Sequence, residues 1–90
     1  MNQAIVNPEE LRQFTENLRR FNQDTKSRLG SLQAHFNALG DTWQDQEQAK
    51  FAEEFAATVK AFKRFLEVSE QHVPFLLRKA QRAEDYLKQR

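Results

Sequence analysis

Apolar side chains recur through the first half of the chain at Leu11, Phe14, Leu18, Phe21, Leu29, Leu32, Phe36 and Leu39. With Thr25 filling the one gap, the steps are 3, 4, 3, 4, 4, 3, 4 and 3. That spacing holds one face of a helix apolar, as a heptad stripe with a single stutter. Arg12, Glu16, Arg19 and Lys26 fall on the opposite face. Asn7, Pro8 and Glu10 make a strong start: a capping side chain, a proline suited to the first helical position, and the acid of a capping box. The pattern predicts a first helix over about 8–39. Gly30 either admits another helix at close range or marks a local break, and the unbroken stripe favours a continuous helix.

The segment Gly40-Asp41-Thr42 interrupts the pattern and Trp43 follows. Gly40 stands where a left-handed glycine would stop the helix. Asp45, with Gln48 three residues on, can cap the next helix, so the turn over 40–45 is short and the helices run antiparallel. The second helix is predicted over about 46–88. Its stripe is Phe51, Phe55, Val59, Phe62, Leu66, Ser69, Val73, Leu76, Ala80, Ala83 and Leu87, again in steps of 3 and 4. A second ridge lies beside it, with Ala57, Ala61, Phe65, Val68 and Phe75. Pro74 removes a backbone donor and is expected to kink the helix near Glu70. The stripe keeps its phase across it. The whole chain is thus one all-α domain, an antiparallel helical hairpin.

Stripe and ridge together cover about half the circumference of the second helix, more than one facing helix can bury. The length of 90 residues sharpens the point, because a core of that size is marginal without a staple. No cysteine is present to supply one. Eight phenylalanines make aromatic burial the main driving force available. Leaving three or four of them wet forgoes on the order of 10 kcal/mol, as much as a small domain's whole stability. Two hairpins set face to face would bury both surfaces as a four-helix bundle. A homodimer is the commonest route, and a related hairpin would satisfy the same physics. The expected interface and core residues are Leu11, Phe14, Leu18, Phe21, Leu32, Phe36, Phe51, Phe55, Val59, Phe62, Phe65, Leu66, Val73 and Leu76.

Charge narrows the function classes. Charged residues make up 30% of the chain with a formal net charge of +1, which argues against the cationic face of a nucleic-acid binder. No run approaches the roughly 20 apolar residues of a membrane span. Residues Met1 to Val6 lack a basic segment followed by an apolar core, so no signal peptide is read there. The chain is expected to fold in the cytoplasm, and to leave the cell only through another machine.

The hairpin turn Leu39-Gly40-Asp41-Thr42-Trp43-Gln44-Asp45, the series Trp43, Glu47, Phe51, and the early Leu11-to-Leu18 stripe resemble the Trp-x-Gly (WXG) family of ESAT-like proteins. The resemblance covers essentially the whole chain. It implies a hairpin that dimerises into an antiparallel four-helix bundle. It also implies export, with an unprocessed N-terminus, by a type VII secretion system driven by an FtsK-like ATPase. Asp45 stands where the family has glycine. The family's export signal, a tyrosine followed four residues later by an acid, is altered, because Arg90 is four residues after Tyr86.

Chemistry-bearing residues are sparse. His35 and His72 have no histidine or cysteine at metal-ligand spacing. The pairs Glu53-Glu54 and Glu84-Asp85 diverge by about 100° on a helix and read as solvated faces rather than as a shared catalytic pocket. The run Arg78, Lys79, Arg82, Lys88 and Arg90 offers contact with an acidic partner or a membrane surface, but Glu84 and Asp85 interrupt it and cations suit the C-terminal end of a helix dipole. No nucleophile, phosphate cradle or cofactor motif appears, and the chain is read as a non-enzyme with no cofactor. Trp43 carries two readings: an indole that plugs the bundle end, or a recognition surface with a partner's tail. The leading function is that of a secreted substrate or partner of a type VII-like system. The alternative is an intracellular adaptor or chaperone that holds another helical protein.

Overall fold

A computed structural model describes residues 6–89, so the reading of a missing signal peptide falls, Val6 apart, outside the described residues. Helix α1 spans Pro8–Leu39 and helix α2 spans Gln46–Lys88. The two pack antiparallel along their length as a rod with extents of 68 × 20 × 14 Å. Its radius of gyration of 20.1 Å far exceeds the roughly 12 Å of a compact domain of this length.

Local chemistry sets each end. Asn7 Oδ1 accepts from the Glu10 amide at 3.0 Å, and Asp45 Oδ1 accepts from the Gln48 amide at 2.9 Å. Each cap satisfies one of the donors a helix start leaves free. Helix α1 runs unbroken through Gly30, and α2 through Pro74. The end of α1 departs from the left-handed glycine expected there, since Gly40 is right-handed with φ −60° and ψ −18°. Instead of reversing, the chain tightens: Gly40 and Asp41 donate to the carbonyls of Asn37 and Ala38, each at 3.2 Å, and Thr42 and Trp43 both donate to Leu39 at 3.0 Å. A Cβ at position 40 would sit 3.2 Å from the Asn37 carbonyl oxygen, a tight contact, while the backbone there is one that any L residue adopts. At the open end of the hairpin, Arg12 spans to α2, pairing with Glu84 and donating to Gln81, each at 3.1 Å.

The seam between the helices is thin. Its fully buried apolar residues are Val59, Leu66 and Ala80. Opposite them α1 buries Thr15 and Asn22, both more deeply than any of its leucines. Thr15 returns its hydroxyl to the Leu11 carbonyl at 2.8 Å. Ser69 Oγ donates to Asn22 Oδ1 at 3.0 Å, joining the helices at mid-rod, while Asn22 Nδ2 is buried without an acceptor. A lone polar pair inside an apolar seam fixes register, because sliding the helices would strand both groups. Ser69→Ala is therefore expected to lower stability by about 1–3 kcal/mol, the cost of leaving the Asn22 carbonyl unpaired as well. A shifted denaturant midpoint at constant slope would register it, whereas an unmoved midpoint would mean that Asn22 bonds elsewhere.

Candidate interaction surface

Thr15 and Asn22 occupy the seam, and this has a geometric consequence for their neighbours. Phe14 and Phe21 each stand one residue earlier, about 100° round the helix. Leu32 and Leu39 precede Gln33 and Gly40 in the same way. On α2, Phe65 and Val68 stand one residue before Leu66 and Ser69. Because α2 runs antiparallel to α1, one step back in sequence turns both helices toward the same side of the rod. Phe14, Phe21, Leu32, Leu39 and Phe65 thus share one face and are open to solvent there, with Val68 partly buried beside them.

The residues expected at the core and interface divide accordingly. Leu11, Leu18, Phe36, Phe55, Val59, Leu66, Val73 and Leu76 are buried or partly buried along the seam. Phe14, Phe21, Leu32, Phe51, Phe62 and Phe65 are exposed. Phe14 and Phe65, at 56% and 52% exposure, both line an apolar groove of about 470 Å³ that runs along this face. Leu18, Val68, Phe75 and Leu76 complete its apolar lining, and His72 is its one titratable member. His35 is exposed on α1. Sequence reading passed over Thr15 and Asn22. Their signal lay in a second 4-3 series, Leu11, Thr15, Leu18, Asn22, Thr25 and Leu29, which a hydrophobic count discards.

An aromatic cluster closes the turn end. Phe36 lies 4.9 Å from Phe55 and 5.6 Å from Phe51 between ring centroids, and Phe51 stacks on Phe55 at 5.7 Å. Trp43, partly buried, extends the cluster with its ring 6.2 Å from Phe51. Such contacts add on the order of 1 kcal/mol each beyond area burial. Asp45 caps α2 two residues later, so the turn motif both anchors an indole and starts a helix. Phe51 remains 44% exposed, which continues the apolar face to the tip of the hairpin. No described helix is long and apolar enough to cross a membrane.

Residues 3–86 match the family model for WXG100, proteins of 100 residues with WXG. No curated protein matches the chain. Among solved structures, the wild-type secreted protein EsxB of Bacillus anthracis str. Sterne superposes with a TM-score of 0.75 at 26% identity, covering 93% of this chain and 97% of that one. A selenomethionine-labelled form of EsxB gives 0.75 and 26%, covering 96% and 98%. A glycine-to-alanine mutant gives 0.74 and 26%, covering 94% and 98%.

Proposed function

The chain belongs to the WXG100 family, and from that premise we propose that it is an interaction protein of a type VII-like secretion system that works by pairing through its apolar face. The partner is a second copy, or a related hairpin with the same surface. The observation that carries the reading is uncovered area. A compact monomer of 10.7 kDa exposes about 5,500 Å². This hairpin exposes 7249 Å², with its largest rings on one side. The excess matches the surface that obligate dimers hide, roughly 1,000–2,500 Å² per partner. Covering that face with a second hairpin completes a four-helix bundle and supplies the core that three buried apolar residues cannot.

Static light scattering at micromolar concentration is expected to give about twice 10.7 kDa. A folded species of single mass would remove the basis for pairing. Export is the second half of the proposal. It rests on family membership and on the secretion of EsxB, with a secretion ATPase as the energy source. The expected result is intact chain in the culture medium of its host, lost when that ATPase is deleted.

One feature favours the alternative of an intracellular adaptor or chaperone: the basic Arg90 four residues after Tyr86, where exported relatives are expected to carry an acid. Strict retention in the cell, together with co-purification of one larger helical chain, would establish that alternative. Substituting Arg90→Glu and finding export restored would locate the difference in that single charge.

A further inference from the structure

Away from the apolar face, the helices leave a second groove with charged walls. It runs in three stretches of about 440, 440 and 230 Å³, joined where Gln33 and Lys63 line the first two and Glu70 the last two. Its floor is apolar near the turn and mid-rod, with Phe55, Val59, Leu29 and Leu66. Lys26 stands on the α1 wall, with Lys60 and Lys63 opposite on α2.

Three features of this groove bear on what it can hold. All ion pairs among the described residues are made by arginines; in the groove Lys26, Lys60 and Lys63 take part in none, while of its two acids Glu67 is held by Arg64 and Glu70 is in no ion pair. Gly30 lies in the α1 wall one turn from Lys26, and a Cβ built on it would meet nothing within 4 Å. A glycine inside a helix forgoes about 1 kcal/mol relative to alanine, and no contact within the hairpin accounts for it. At the far stretch Asn22, whose buried amide nitrogen lacks an acceptor, lines the groove beside Pro74.

We propose that this groove seats an amphipathic helix from a different protein, apolar on its inner side and bearing carboxylates that meet Lys26, Lys60 and Lys63. An apolar floor between two helices suits a third helix anchored at intervals of three and four residues. Three unmatched lysines against one unmatched acid, Glu70, favour acid over base on its flanks near Lys26, Lys60 and Lys63. The gap at Gly30 lets the incoming backbone approach closely. The groove faces away from Phe14 and Phe65, so a bundle paired through those residues leaves it open. Binding there succeeds or fails separately from pairing.

The test uses the full chain, labelled with ¹⁵N, and two synthetic helical peptides with identical leucine-alanine faces, one flanked by glutamates and one by lysines. The glutamate peptide is expected to shift the amides of Lys26, Gly30, Gln33 and Lys63 and to bind at least tenfold more tightly than the lysine peptide. Lys26→Glu combined with Lys63→Glu should weaken it about tenfold. Gly30→Leu should block it while the scattering mass and helicity stay unchanged. Absence of binding at millimolar peptide, equal binding of the two peptides, or shifts confined to the Phe14 and Phe65 face would each overturn the proposal. So would association of the chain with itself through the groove.

Discussion

Phe65→Glu is expected to abolish pairing and, with it, most of the helical signal at micromolar concentration. Phe65 is half exposed in the hairpin, so on the order of 100 Å² of its ring awaits cover, worth about 2–3 kcal/mol. The substitution forfeits that term and places a carboxylate in the groove lined by Phe14, Leu18, Val68 and Phe75, where no lysine or arginine is present. In a twofold pair both changes count twice. A loss of about 6 kcal/mol per dimer weakens association by roughly four orders of magnitude. A hairpin released in this way keeps only Val59, Leu66 and Ala80 as buried apolar residues, too few to offset the ordering of two long helices. Folding and pairing should therefore be lost together. Circular dichroism at several concentrations reads the outcome, with Gln23→Glu on the other side of the rod as the charge control. A Phe65→Glu chain that stays helical at twice the monomer mass would show that another surface does the pairing.

The two helices and the antiparallel turn were legible because their signals are local. Asn7, Pro8 and Asp45 act within four residues of their own positions, and a 3-4 apolar period needs no partner to be recognised. The excess of apolar surface was legible for the same reason, since stripe and ridge could be counted on one helix wheel. The rotation of each helix about its axis was not. Phe14 and Thr15 differ by 100°, and hydrophobicity alone assigns the seam to Phe14. The hairpin instead turns Thr15 and Asn22 inward. Small polar residues let the backbones approach, Thr15 donating to the Leu11 carbonyl and Asn22 accepting from Ser69, while Phe14 and Phe21 stay open to solvent. Choosing between these rotations depends on how the two helices pack against each other, which the apolar pattern of either helix alone does not carry. The Gly40 conformation escaped for a smaller reason. Glycine after a helix usually marks a left-handed residue, but here the chain continues right-handed into a turn that Thr42 and Trp43 close on the Leu39 carbonyl, bonds that leave no trace in the sequence.

Leu66→Ala separates the two rotations. Leu66 is 5% exposed and stands on α2 at the middle of the seam. Removing its branched end leaves a cavity that the two rigid helices cannot close, at an expected cost of about 2–5 kcal/mol per chain. Leu66→Met, which conserves volume, should cost less than about 1.5 kcal/mol, so the pair of variants distinguishes packing from helix propensity. Unlike Phe65→Glu, Leu66→Ala puts no charge in the groove. Its apparent melting temperature should drop but recover as protein concentration rises, with the folded species still at twice the monomer mass. If instead Leu66→Ala cost less than 1 kcal/mol while Phe14→Ala and Phe21→Ala cost several, each helix would be turned by most of a residue from the arrangement described. The phenylalanine row would then form the intramolecular seam, and the polar row of Thr15 and Asn22 would face outward. The apolar face would cease to exist as a separate surface, and with it the physical need for a second hairpin.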